Sequence, residues 1–209
     1  MPEALDLFFP RKSLSGKTGK WITEHEKKRL MFKPVTEAED RLRERGLDFI
    51  DAIYAGSSYE RSPLLHKAIH TFKYKRIRIL AKDMTEIMLK NSPNLGHTVL
   101  CPVPLHWSRL FSRGFNQSKL LSELLAQKCR IHSMNLLKRT RPTGHQMKRK
   151  KSERLTALKG AFRVNSKLLH SHVILIDDLS TTGATLDECA KALKDAGVER
   201  VEGWVIAHG

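Results

Sequence analysis

Cysteine is scarce and dispersed. Cys101, Cys129 and Cys189 are the only three in 209 residues, none lies before position 101, and no C-x-x-C pair occurs. That spacing argues for reduced thiols and against a zinc site built on cysteines. No apolar run approaches the roughly 20 residues needed to cross a bilayer. The opening residues, MPEALDLFFPRK, lack the positive-then-apolar pattern of a signal peptide, so a cytoplasmic location is expected. Acidic residues are also in short supply, 22 Asp and Glu against 38 Lys and Arg, which leaves a net charge of +16 and a pI near 10.0. Such an excess favours polyanions (nucleic acid, acidic headgroups or multiply phosphorylated small molecules) without choosing among them. Internal repeats and low-complexity linkers are absent as well. What remains, 40% hydrophobic and 29% charged residues, is the composition of a globular protein. The length suits one α/β domain with a small appendage.

The most informative stretch is residues 173–186, VILIDDLSTTGATL. Val173-Ile174-Leu175-Ile176 is apolar on both faces, as a central strand of a parallel sheet must be when helices cover both sides. Asp177-Asp178 arrive at its C-terminal end, the edge where open α/β sheets place ligands. Ser180-Thr181-Thr182-Gly183-Ala184-Thr185 then leads into helical spacing from Leu186. A helix N-terminus offers unpaired N–H donors and a partial positive charge, which suit a phosphate. Helix capping accounts for one acid or one threonine. It does not account for two adjacent acids followed by three hydroxyl residues and a glycine, so the stretch is read as a site for a phosphorylated sugar.

This stretch resembles the phosphoribosyl-pyrophosphate (PRPP) motif of type I phosphoribosyltransferases. More particularly, the chain resembles the ComF family of competence-related, phosphoribosyltransferase-like proteins. Three further segments carry that likeness: HKAIHTFKYKRIRILA (66–81), CPVPLHWSRLFSRGFNQSKLL (101–121) and TGHQMKRKKSERLTALKGAF (143–162). The resemblance covers about residues 50–209. It implies a Rossmann-like, mostly parallel sheet flanked by helices, with residues 1–50 as an N-terminal arm and 51–209 as the phosphoribosyltransferase-like domain. It assigns Asp177 and Asp178 to the ribose hydroxyls, directly or through Mg²⁺ brought by PRPP, with no cage of protein ligands alone. Ser180, Thr181, Thr182, Gly183, Ala184 and Thr185 go to the 5′-phosphate. Leu105, His106, Trp107, Ser108 and Arg109 form the pyrophosphate loop, with Arg113 beside it as a further catalytic cation.

Two departures accompany the likeness. Purine phosphoribosyltransferases carry an acid three residues after the second aspartate, where it exchanges a proton with the incoming base. Thr181 occupies that position here and cannot do so near neutral pH. The family's N-terminal four-cysteine zinc knuckle is also missing: Ser13, Thr23 and Glu26 fall near the expected cysteine positions, and no zinc is expected. Two functions follow. One is Mg²⁺-dependent phosphoribosyl transfer to an unidentified acceptor. The other is handling of single-stranded DNA during natural transformation, alongside DNA-uptake machinery, with PRPP as a bound or regulatory ligand.

Elsewhere the patterning is coarser. Residues 24–45 read as a charged helical arm interrupted at Pro34 and ended by Gly46. Residues 51–55 read as a strand with a turn at 56–58, then helices over 62–71 and 77–89. Phe72-Lys73-Tyr74-Lys75-Arg76 either packs its aromatics in the core or stacks them on a base; core packing is the better explanation of alternating burial. Residues 99–103 form the first core strand. A helix follows from Gly114, and Asn116 is either its cap or a ligand contact. Cys129 is read as buried filler rather than a nucleophile, since no catalytic pairing is visible. Residues 138–154 are strongly basic and read as a mobile loop that closes on pyrophosphate or tracks DNA phosphates, with Lys148, Arg149, Lys150 and Lys151 as the nucleic-acid candidates. Short strands are expected at 161–164 and 201–207.

Overall fold

The computed structural model describes residues 13–16, 22–30, 33–60, 62–74, 80–142, 158–165 and 170–209. Its elements, in chain order, are α1 (Glu24–Leu30), β1 (Val35–Ala38), α2 (Glu39–Glu44), β2 (Ala52–Ser58), α3 (Pro63–Tyr74), α4 (Leu80–Met88), β3 (Val99–Pro102), α5 (Trp107–Arg113), α6 (Gln117–Cys129), β4 (His132–Ser133), β5 (Leu137–Arg139), β6 (Phe162–Val164), β7 (His172–Ser180), α7 (Ala184–Lys194) and β8 (Arg200–His208). Six strands form the main sheet in the order β1-β2-β8-β7-β3-β4. All neighbours in it are parallel except β1 and β2. This is the expected α/β architecture.

The four apolar residues of β7 explain the layering. Val173 and Leu175 enter one core with Leu186, Cys189, Ala190 and Leu193 of α7. Ile174 and Ile176 enter the other with Leu121 and Leu125 of α6 and with α3 and α4. All four strand residues are fully buried, so the run is covered on both faces. From β3 the chain crosses by α6 to β4 on one side, and from β7 by α7 to β8 on the other. The crevice between β3 and β7 is therefore a topological switch point.

Several local expectations need correction. The arm at 24–45 is not one interrupted helix: β1 follows Pro34 and pairs Val35 with Ala55, which brings part of residues 1–50 into the main sheet. The supposed turn at 56–58 is strand, because β2 continues beside β8 to Ser58↔His208. Gly56 is needed there for packing rather than for a bend, since a Cβ on it would lie 2.0 Å from the Ile87 carbonyl oxygen of α4. Residues 138 and 139 are not loop either; β5 pairs with β6 in a separate antiparallel ribbon, Lys138 opposite Arg163 and Arg139 opposite Phe162. The two aspartates lie inside β7 rather than beyond it, with Asp177 opposite Val205 and Leu179 opposite Ala207.

The positions where the family's cysteines would fall meet around one carboxylate. Glu26 is buried and accepts hydrogen bonds from Ser13 Oγ (2.9 Å), Ser15 N (2.6 Å), Thr23 N (2.7 Å) and Thr23 Oγ1 (2.9 Å). Hydroxyls and one saturated carboxylate are a poor donor set for zinc, and the residues do not fit that metal. Burial alone would raise the Glu26 pKa, but the bonds from Ser15, Thr23 and Ser13 hold it down to about 2. A depressed carboxylate stabilises the fold above its ordinary pKa, and that contribution fades as pH falls toward 2. Glu26→Gln is expected to cost about 2 kcal/mol at pH 7 and to flatten the acid limb of a stability-versus-pH curve measured by urea unfolding.

Candidate functional site

Two adjoining clefts open at the C-terminal ends of β3 and β7. One, of about 390 Å³, is lined by Asp177 and every residue from Leu179 to Leu186. The other, of about 520 Å³, is lined by Leu105, Arg109, Arg113, Ser118, Asp177, Asp178 and Thr185, with Lys73, Gln117 and Arg139 completing its polar wall. The expected sugar-phosphate loop and the expected pyrophosphate side thus share Asp177 and Thr185.

The loop owes its shape to Gly183, the N-cap of α7, at φ +79°. A side chain there would meet Leu47 Cδ1 at 2.4 Å, so both the backbone angle and the space call for glycine. Thr182 Oγ1 accepts from Ala184 N at 3.4 Å and turns the chain into the helix. Ser180 Oγ is buried and has no hydrogen-bond partner among the described residues, a cost that the fold carries beside this loop.

The two acids have different surroundings. Asp177 accepts from Ser118 Oγ and from the Asp178 amide, both at 2.8 Å. Burial and the neighbouring Asp178 nevertheless push its pKa up to about 6, against the opposing pull of Lys73 and Ser118. Asp178 is 5% exposed and ion-paired with Lys73 Nζ at 2.8 Å. Lys73 reaches it from the last turn of α3, while Phe72 beside it is fully buried and edge-on to Phe115 at 5.8 Å. The core-packing reading of Phe72 holds; the side chain of Tyr74 and residues 75–76 lie outside the described set.

The pyrophosphate-loop residues are divided by the fold. Leu105, Arg109 and Arg113 line the second cleft. His106 and Ser108 instead engage each other at the start of α5, Nδ1 to Oγ at 2.8 Å. Trp107 is 74% exposed and borders a wider groove with Leu110, Lys119 and Lys138. Arg113 donates to Gln117 Oε1 at 3.1 Å. Asn116 caps α6 through Ser118 N and Lys119 N and donates to the Val103 carbonyl at 3.1 Å, a structural role. Lys148, Arg149, Lys150 and Lys151 lie outside the described residues.

Patterning missed Ser118, Gln117 and Arg139 as site residues. Ser118 follows directly on the RGFNQ segment, which was the available signal. Arg139 was assigned to the basic loop, but strand pairing turns it to the cleft, where burial and then the nearby Arg109 lower its pKa. The cysteines take no part: burial pushes Cys101 up to about 12 and raises Cys129 and Cys189 too, leaving inert thiols.

Residues 113–208 match the model of the phosphoribosyl transferase domain. The Haemophilus influenzae protein named Competence protein F is 37% identical over 113 residues, 52% of this chain and 49% of that protein. Escherichia coli O6:H1 DNA utilization protein YhgH is 32% identical over 156 residues, 70% of this chain and 68% of the relative. The chain belongs to the ComF family. Bacillus subtilis Competence protein ComFC, 34% identical over 145 residues, is a further relative, of which the match spans 58%. This ComF chain thus spans about half the length of the Haemophilus protein and rather more of the others. The ComF domain combines the phosphoribosyltransferase-like fold with a site of two acids and several cations, and none of its described helices is long and apolar enough to cross a membrane.

Proposed function

We propose that the paired clefts bind PRPP and that the chain transfers its phosphoribosyl group to an acceptor. The observation that supports this best is the convergence on one crevice of the loop at 181–185, the carboxylates of Asp177 and Asp178, and the side chains of Lys73, Arg109, Arg113 and Arg139. The loop amides and hydroxyls suit the 5′-phosphate. Asp177 and Asp178 suit the ribose hydroxyls. Both also supply the oxygen donors that Mg²⁺ prefers, few in number and completed by water and phosphate oxygens; bound there, it would neutralise pyrophosphate charge. Breaking the bond from C1′ to pyrophosphate leaves positive character on the sugar and negative charge on the departing group. Arg109, Arg113 and Arg139 face that departing charge, and arginine forks grip phosphate oxygens two at a time. Thr181 supplies no proton, so the acceptor must need none from this position. Calorimetry with PRPP and Mg²⁺ tests binding, and the absence of detectable heat or saturation would sink the reading. Pyrophosphate release across a panel of bases and amines tests transfer.

A second reading has its own support. The relatives are named for competence and DNA utilization, and the chain carries a net charge of +16. Under it, the chain handles incoming single-stranded DNA, with DNA-uptake machinery as partner and PRPP as a bound regulator. Replacing Lys148, Arg149, Lys150 and Lys151 by Gln is expected to flatten the dependence of log affinity on log salt by about 3 for a single strand. An unchanged slope would remove those residues from DNA contact.

A further inference from the structure

A charged cluster that neither reading uses contacts the backbone of the phosphate loop, and none of its residues lines either cleft. His208 ends β8 and is 5% exposed; its Nδ1 is 2.9 Å from the Ser180 carbonyl oxygen. Its Nε2 meets Glu37 Oε2, from β1. A carbonyl oxygen can only accept, so Nδ1 is the donor to Ser180, while Nε2 lies between Glu37 Oε2 and Arg45 Nη1, the latter at 3.2 Å. Arg45, just after α2, pairs with the same Glu37 and donates from Nη2 to the Thr181 carbonyl at 3.1 Å. The Gly209 amide also donates to the Ser180 carbonyl, at 3.1 Å. Glu37 is buried, which acts to raise its pKa, yet Arg45 and His208 hold it below the usual range.

In a trans peptide the N–H points opposite to the C=O. The carbonyls of Ser180 and Thr181 belong to the same peptide units as the amides of Thr181 and Thr182. A donor bonded to each carbonyl therefore aims the amide beyond it away from the cluster, and it polarises that amide into a stronger donor. We propose that Glu37, Arg45 and His208 form a clamp of positioning residues that sets the affinity of the loop for the 5′-phosphate of a pentose phosphate. Glu37 holds Arg45 and His208 side by side, and they act on phosphate through the backbone without touching it. The clamp rests on the PRPP reading of the loop. It also makes residues before position 50 part of the site.

The test is isothermal titration of the full chain with ribose 5-phosphate and, separately, with Mg²⁺-pyrophosphate, for wild type, Arg45→Gln, Arg45→Lys and His208→Gln, each also melted to check folding. The clamp requires the affinity of Arg45→Gln and His208→Gln for ribose 5-phosphate to fall about tenfold, the worth of one charge-assisted bond, while pyrophosphate affinity stays within about twofold. Arg45→Lys keeps the charge and should recover much of the loss. Unchanged ribose 5-phosphate affinity in both neutral variants overturns the clamp and leaves the PRPP site standing. Equal losses for both ligands, with lower melting temperatures and no rescue by lysine, also overturn it, because they signify a structural role alone. Wild-type protein that binds neither ligand overturns the PRPP reading itself.

Discussion

Asp177→Asn is expected to make the ligand-free protein more stable at pH 7 while removing Mg²⁺-dependent PRPP binding. Burial and Asp178 raise the Asp177 pKa to about 6, well above that of an aspartate in the unfolded chain. A carboxyl whose folded pKa is raised favours the fold at low pH, where it is protonated. That advantage disappears as pH rises through about 6, and ionised Asp177 then burdens the fold. Asparagine removes the burden and can still accept from Ser118 Oγ and the Asp178 amide, which now meet Asp177 at 2.8 Å. Allowing for partial exposure, the gain should be about 1–2 kcal/mol at pH 7 and should vanish near pH 4, as read from urea unfolding at several pH values. Calorimetry on the same protein should find PRPP affinity reduced at least about 100-fold, since a charged partner to metal and ribose hydroxyls is lost. Loss of stability at pH 7, or PRPP binding that survives, would contradict the role given to Asp177. Opposite signs for stability and binding mark a residue held in place for a ligand rather than for the fold.

The largest structural effect is expected at Gly183. Valine there must adopt φ near +79°, which β-branched residues strongly resist, and its Cβ would lie 2.4 Å from Leu47 Cδ1. Leu47 has little room to withdraw. It is 1% exposed, and Asp187 in the first turn of α7 holds the next segment by accepting from Phe49 N at 2.8 Å and Ile50 N at 3.0 Å. Backbone strain and overpacking together should cost about 3–4 kcal/mol in chemical unfolding. Gly183→Ala should cost less, by the difference between a β-branched and an unbranched side chain at the same backbone angle. PRPP affinity should fall in both, because the loop amides shift with the cap. A Gly183→Val protein as stable as wild type would show that the loop is looser than its packing implies.

The parts of this molecule that could be read from sequence are those specified by near neighbours. Val173–Ile176 announces a strand buried on two faces because period and burial act within four residues. The acids, hydroxyls and glycine of 177–185 announce a strand-to-helix turn, here lining a cleft, because the pattern is contiguous. For Asn116, its place before an apolar-periodic helix leaves cap and ligand contact both open, and the cap is what the fold contains. What escaped depends on residues far apart in the chain. Lys73 finds Asp178, and Ser118 finds Asp177, only once α3 and α6 pack against the same face of the sheet. β1 hides in a charged stretch because it is an edge strand with a single buried side chain, Glu37, and so carries no apolar alternation. β2 runs through Gly56-Ser57-Ser58, residues that favour turns, because pairing with β8 and the closeness of Ile87 outweigh local preference. The position of Arg139 follows from its antiparallel partner Phe162, which no local pattern around residue 139 indicates.

That the acids belong to β7 itself has a consequence for watching the site work. Asp177 and the residues after Asp178 are stitched into the ladder with β8, through the pairs Asp177↔Val205, Leu179↔Ala207 and Ser180↔His208, while the Asp178 amide donates to the Asp177 carboxylate. Amide hydrogens that bond within this ladder at the centre of the sheet exchange with solvent only when the sheet opens, with or without a ligand. The amides of Thr182 and Gly183 precede the first helical bonds of α7 and make no backbone hydrogen bond among the described residues. In a deuterium-exchange experiment Asp177 would therefore sit on a silent stretch, and the arrival of a phosphate would be written in the residues after Ser180.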